Sequence, residues 1–412
     1  MTCANTFRRL YVGVAITLAC VTLSGCSLKS ITNTLLEMAC PRWGYIDTKN
    51  KLVVNIYAAN KYYPYLEGSL GKFSCGRARI RVGPDKGSDC RFLFIDREGI
   101  RSGPDFWAAG NFSEQLAAAA PSRKEGFGYL DRNYNWVIKP TFARARGFKE
   151  GLSAVQLKSN SLWGFVDKTG RLAIPCQFDD VRDFSEGLAV FRRGTKYGFI
   201  DKKGQERIPA TGDFAWSFSE GLAAVDYRAG SGKYKRKYLN PDGTAKFEYS
   251  FEPGRPDFSL DRSRHFVGEF DSSDFTEDKL KPSHCLEDPV FKNGLAVIQK
   301  HCLYGFINTN GEVVIPFAFG FARPFSENCA VVFSKSGNHL CGVVHRDGKL
   351  SVECKYKHLS DFSNGLACAS ATGTLYGFIA PDGIYKIDAN IHDLADSFSE
   401  GLAAVGVAPI CP

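Results

Sequence analysis

One short mark recurs along the chain and dominates what it can fold into. It reads Phe148-Lys-Glu-Gly151-Leu-Ser-Ala-Val155, then Phe184-Ser-Glu-Gly187-Leu-Ala-Val190 and Phe218-Ser-Glu-Gly221-Leu-Ala-Ala-Val225. It returns as Phe291-Lys-Asn-Gly294, Phe362-Ser-Asn-Gly365 and Phe398-Ser-Glu-Gly401, each followed by Leu-Ala. Successive glycines lie 36, 34, 73, 71 and 36 residues apart, so the two long gaps are double periods. One holds the variant Phe325-Ser-Glu-Asn328, the other a degraded unit near Phe258-Ser259. A fixed period of this length means stacked supersecondary units, each too small to bury its own apolar face.

A second mark alternates with the first. It reads Trp43-Gly-Tyr-Ile-Asp47, Phe127-Gly-Tyr-Leu-Asp131, Trp163-Gly-Phe-Val-Asp167, Tyr197-Gly-Phe-Ile-Asp201, Tyr304-Gly-Phe-Ile-Asn308 and Tyr376-Gly-Phe-Ile379. Weaker copies are Phe92-Leu-Phe-Ile-Asp96, Tyr238-Leu-Asn240 and Cys341-Gly-Val-Val344. Nine units carry it, and the stretch from about 255 to 285 has room for a tenth. Alternation puts Trp163 and Phe165 on one face of a strand and Gly164 and Val166 on the other. Asp167-Lys-Thr-Gly170 is a turn, with Asp accepting local backbone bonds and Gly taking positive φ. A returning strand ends at Ile174-Pro175, where proline costs no ladder bond. Phe184 plugs the core, Ser185-Glu186-Gly187 turns the chain, and Leu188 to Phe191 make a third strand. The expected fold is all-β: about nine or ten three-stranded units of roughly 36 residues over residues 40–412, with irregular insertions near 55–75 and 228–290. The array is propeller-like if it closes and an open, solenoid-like stack if it does not. Because 36 residues is short beside the 40–45 of a WD40 blade, the length favours the open stack.

These two marks resemble the WG-repeat family of bacterial proteins, also known through the related KWG repeats. The resemblance implies a β-repeat array. It transfers no catalytic residue.

The first 26 residues read as an address. Arg8 and Arg9 precede an apolar run from Leu10 to Leu23, which closes on Ser24-Gly25-Cys26. That is a secretory signal, too short to span a bilayer comfortably. Leu23-Ser24-Gly25-Cys26 resembles the lipobox of bacterial lipoproteins, which implies a signal peptide over 1–25, a lipidated Cys26 and a short linker over 26–39. An exported, membrane-anchored envelope lipoprotein follows, and Ser27 is compatible with the outer membrane in a Gram-negative host. Once Arg8 and Arg9 leave, a formal charge of +8 falls to +6, mild for a chain this long and not the mark of a nucleic-acid binder.

Of 14 Cys, eleven remain after Cys3, Cys20 and Cys26 are set aside. They sit at different offsets in the repeat, so no repeating disulfide is encoded. His284-Cys285 and His301-Cys302, with His339, Cys341 and His345, invite a metal reading, but adjacent residues on a strand point to opposite faces. Compact pairs of the zinc type are missing, and no metal or cofactor is expected. Asp47, Asp96, Asp131, Asp167 and Asp201 share one offset, and Glu114, Glu150, Glu186, Glu220, Glu327 and Glu400 another. Carboxylates present in every unit fit turn-building better than the paired, unlike environments a glycosidase needs. No nucleophile motif or phosphate loop appears. The expectation is a non-catalytic scaffold with a protein partner in the envelope, the alternative being a glycan binder or a glycan-cleaving enzyme. Candidate ligand residues are Tyr57, Tyr62, Tyr63 and Tyr65, whose faces could stack on sugars or cap the array's end, and the basic run Lys233, Lys235, Arg236 and Lys237.

Overall fold

The computed structural model describes residues 42–55, 70–82, 91–230, 233–251, 289–336, 339–392 and 394–407. These contain strands and turns and no helix. The signal, Cys26 and the four tyrosines lie outside them.

The strands form nine separate antiparallel sheets, and the ninth repeat period rejoins the first. Eight of the sheets are consecutive in sequence: blade 2 (70–106), blade 3 (108–142), blade 4 (144–178), blade 5 (180–212), blade 6 (214–251), blade 7 (295–319), blade 8 (321–356) and blade 9 (358–392). Blade 1 is composite. Arg42–Asp47 pairs on one side with Leu52–Asn55 and on the other with Leu402–Val407, which pairs in turn with Leu394–Ala395. The chain therefore closes a nine-bladed β-propeller, and the open stack favoured by unit length is corrected. The units also have four strands rather than three, except blade 7, which has three among the described residues. Outside blade 2, whose first strand is Leu70–Ser74, the additional strand is two residues long, as in Arg144–Ala145, and follows the previous blade's last strand after a single residue. A strand that short leaves no alternation to read. Residues 70–74 and 233–251, inside the regions expected to be irregular, form regular strands of blades 2 and 6.

The core lies between blades. The aromatic directly after the glycine of the second mark in one blade meets the Phe of the first mark in the next. Tyr129 meets Phe148 with centroids 4.8 Å apart, Phe165 meets Phe184 at 4.8 Å, and Tyr45 of blade 1 meets Phe73 of blade 2 at 4.8 Å. Each buried ring contributes roughly 1.5–3 kcal/mol, so the seams rather than the blades hold the stability.

Candidate functional surface

Each blade has two ends. At one end sit two tight turns. Ser185-Glu186-Gly187-Leu188 is a two-residue hairpin closed by bonds in both directions, with Glu186 at φ 54° and Gly187 at φ 80°. Two consecutive positive φ values define the type I′ turn that suits twisted strands. Beside it, Asp167 Oδ1 accepts the amides of Thr169 at 2.9 Å and Arg171 at 3.1 Å, while Gly170 takes φ 87°. Asp47, Asp96, Asp131 and Asp201 make the same pair of bonds. Backbone donors hold the Asp47 and Asp131 carboxyls below the usual range.

The glutamates do something the repeat alone does not reveal. Each reaches past its own turn to the next blade. Glu114 accepts the Gly151 amide at 3.1 Å, Glu150 that of Gly187 at 3.0 Å, and Glu220 that of Gly294 at 2.7 Å. Across the closure Glu400 accepts the Gly76 amide at 3.0 Å and pairs with Arg97 at 3.0 Å. The serines run in parallel: Ser185 Oγ donates to Phe218 O at 2.7 Å, Ser219 to Phe291 O at 2.5 Å and Ser399 to Phe73 O at 2.8 Å. Partial burial raises the Glu114 and Glu150 carboxyls, but Lys168 and Lys202 with the turn amides outweigh it and hold both low. This end is a belt of seam bonds. Its registry shows two early copies, Phe73-Ser-Cys-Gly76, which the sequence marks do not include, and Phe112-Ser-Glu-Gln115, of which only Glu114 stands out by its offset. A search for Phe-Ser two residues before positive-φ residue types would have found them.

The glycine after the aromatic has a packing cause. The last strand of the blade bulges over it, with Trp163 paired to Phe178 but Phe165 to Ile174. A Cβ on Gly164 would lie 2.5 Å from Ile174 O, and one on Gly198 2.5 Å from Ile208 O. Two blades lack that glycine. In blade 2, Leu93 stands there, and the glycine has moved to the facing strand as Gly103, at φ 78°. Tyr134 fills the space above it, its hydroxyl 2.6 Å from Ser102 Oγ. In blade 6, Arg236 and Lys237 occupy the aromatic and glycine positions. Here the last strand runs straight opposite them, pairing Arg236 with Tyr249 and Lys237 with Glu248.

That placement decides what the basic run does. Arg236 is fully buried, its Nε 2.7 Å from Asp226 Oδ1 and its guanidinium 4.6 Å from the Trp216 ring. Blade 4 holds the mirror arrangement, with Arg146 on Trp163 at 4.8 Å. Lys235 is ion-paired to Glu248, and Lys237 lies over Tyr227 and 3.9 Å from Glu248. Lys233 is exposed at the hairpin. The four residues do not form one basic surface, because alternation sends Arg236 into a seam as a core cation. This corrects Arg236 as a ligand contact.

Of the cysteine–histidine set, Cys341 is buried, His301 and Cys302 sit exposed at a hairpin tip, and no group of three metal-ligating side chains occurs among the described residues. Cys329 Sγ lies 3.7 Å from His345 Nδ1, but burial pushes its thiol up to about 11, away from the thiolate.

A family model described as WG containing repeat matches residues 127–160, 163–197, 197–228, 304–335 and 342–371. The chain carries WG repeats. The five matches contain Gly128, Gly164, Gly198, Gly305 and Gly342, each under a bulge of the facing strand. Blades 2 and 6, without that glycine, lie outside the WG matches at their second marks. No curated protein matches the sequence. Among solved structures, a eukaryotic initiation factor aligns at 10% identity over 89% of this chain and 98% of its own, with TM-score 0.45. BamB from Moraxella catarrhalis aligns at 11% identity over 82% and 99%, with TM-score 0.40. Hsv2 from Kluyveromyces lactis aligns at 9% over 66% and 93%, with TM-score 0.36. The closure of the ring rests on the strand pairing itself.

The opposite end of the ring differs from the belt. Its hairpins vary freely in length: two residues in blade 5 (194–195), six in blades 3 (121–126) and 4 (157–162), seven in blade 8 (334–340). Uniform turns at one end and varied loops at the other are the layout of a scaffold that carries its specificity on one face.

Proposed function

We propose that this protein is a non-catalytic scaffold of the cell envelope, tethered by lipid on Cys26, which presents the varied hairpin end of a WG-repeat propeller to a protein partner. The observation that carries the reading is the division of labour between the two ends. The repeated Asp, Ser and Glu are engaged in turns and seams, which leaves the variable hairpins as the part free to differ from one such ring to another. Crosslinking the protein in its own cells, followed by mass spectrometry, tests it, with Cys26→Ala as the control. A dominant protein partner whose recovery depends on Cys26 supports the scaffold. Recovery of glycan fragments instead would transfer the reading to envelope glycan binding. Turnover of an envelope substrate that is lost on changing a single carboxylate would refute the non-catalytic assignment.

A further inference from the structure

Charge is not shared equally between the two ends of the ring. At the belt end, cations and carboxylates alternate and pair, as in Lys168–Glu114 at 2.9 Å and Lys202–Glu150 at 3.1 Å. At the hairpin end of blades 2 to 4 the balance is different. Arg91 opens the strand after the blade 2 hairpin, Arg123 and Lys124 lie on the blade 3 hairpin, and Arg144 and Lys158 occupy the same end of blade 4. All five are exposed, and none is in an ion pair among the described residues. Lys158 Nζ donates to Glu125 O at 2.6 Å, which ties the two neighbouring hairpins into one surface. Of the nearby acids, Asp105 is paired with Arg101 at 2.8 Å, and Glu125 keeps its charge on the blade 3 hairpin, where it accepts the Ser122 hydroxyl at 2.8 Å, so one carboxylate stands against the five cations.

The same end receives the chain's N-terminal segment. In blade 1, Arg42 pairs with Val407, at the hairpin end, and the strand runs from there to Asp47 at the belt. Arg42, the first described residue, therefore lies on the side of the cations, one blade away from Arg91.

We infer that the hairpin face of blades 2 to 4 lies against the anionic headgroups of a lipid bilayer. Three features favour a bilayer over another polyanion. The cations sit at equivalent ends of adjacent blades, so they share one plane. Attraction between cations and headgroups fades within about 8 Å at physiological salt, so only one end of the ring can use it. A tether on Cys26 joining the ring at Arg42 would hold that end near the membrane: fifteen residues lie between Cys26 and Arg42, a reach of at most about 55 Å. The insertion 252–288 carries more acidic than basic residues and leaves between blades 6 and 7, about a third of the ring away. The orientation rests on the tether reading, while the charge of the face does not.

The test uses the exported full chain with Cys26→Ala, which carries no lipid, sedimented with vesicles of phosphatidylcholine alone or with one-third phosphatidylglycerol. Each cation at an anionic surface strengthens binding by about fivefold. Preferential binding to the anionic vesicles is expected, and it should weaken steeply with salt. The triple change Arg123→Glu, Lys124→Glu, Arg144→Glu should lower it by at least about 100-fold. The belt-end triple Lys49→Glu, Lys203→Glu, Lys349→Glu should change it less than about threefold, with both variants melting as the parent does. Equal binding to the two vesicles overturns the inference, as does equal loss in the two triples. So does salt-sensitive binding to heparin without binding to anionic vesicles. Because this protein carries no lipid, failure here leaves the anchor standing. Failure of Cys26 acylation, read by the intact mass of the wild-type protein, leaves the basic face standing.

Discussion

Replacing Gly164 by alanine puts a methyl group where the backbone of the next strand already lies. The added carbon would sit 2.5 Å from Ile174 O, 2.7 Å from Cys176 N and 2.8 Å from the Pro175 carbonyl carbon. Ordinary contact begins near 3.4 Å, so the bulged strand must retreat by close to an ångström. No flexible side chain is available to absorb the shift. Overpacking of this kind costs about 1–3 kcal/mol, and loosening one ladder bond adds about 1 kcal/mol. The expected loss is about 2–4 kcal/mol. With an unfolding entropy of about 2.1 cal/mol/K per residue, that lowers the melting temperature by about 3–5 °C in a ring of this size. Differential scanning calorimetry with urea unfolding measures it. Lys237→Ala is the matched control, because Lys237 holds the same position in blade 6 beside a straight strand, and it should cost under about 0.5 kcal/mol. A Gly164→Ala protein melting within 1 °C of the parent would refute the steric account. Equal losses in the two variants would do the same.

Asp226→Asn leaves the Arg236 guanidinium buried without its counter-charge, and a loss of about 3–5 kcal/mol is expected in urea unfolding. A loss below about 1 kcal/mol would mean that other groups carry the charge. His392 is buried at the seam between blades 9 and 1, its Nε2 3.4 Å from Asn50 Oδ1, and burial lowers its pKa. Between the ordinary and the lowered value the unfolded chain binds the extra proton, so His392 should weaken the ring as pH falls from about 7. His392→Phe, the residue type at this position in blades 3, 4 and 7, should flatten the melting curve between pH 7 and 5. Glu114 and Glu150 have the same sign at lower pH. Their carboxyls are depressed in the fold, so their contribution is present above the unfolded pKa of about 4.3 and is lost as pH falls through the folded value. The double variant Glu114→Gln, Glu150→Gln should therefore lose less stability than the parent between pH 5 and 3.

Much of the fold was legible because single residues have one reason to recur. Asp167 and Gly170 specify a turn whatever surrounds them, and the structure shows that turn bond for bond. Phe184 announces a seam because a lone aromatic beside a type I′ turn has nowhere to go but the neighbouring blade. Closure was not legible from unit length, since a two-residue strand such as Arg144–Ala145 shortens a four-stranded blade below its usual span. The role of Glu150 was hidden for a different reason. A residue that bonds Gly187, 37 positions later, has the same periodicity as one serving its own turn. The basic run at 233–237 misled because charge was counted along the sequence, while alternation across the strand sends Arg236 and its lysines to opposite sides. The exposed cations of blades 2 to 4 were missed for the complementary reason. Arg91, Lys124 and Arg144 are far apart in sequence, and only their shared place at one end of three sheets makes them a surface.

The composite first blade also sets a timetable. Residues 42–55 are among the first of the ring to be synthesised, yet their partners at 394–407 are among the last. Until those arrive, Arg42–Asp47 has an open edge with unpaired amides and carbonyls, a ready template for another chain. Contacts joined over more than three hundred residues, such as Glu400 with Gly76, also make closure the slow step, since long loops must be ordered before they gain anything. A chain crossing a membrane from its N-terminus would hold that edge open throughout its passage. Under the proposed export the ring would be most exposed to misassembly during that passage, and a partner able to shield one β-edge until the C-terminal strands appear would protect it there.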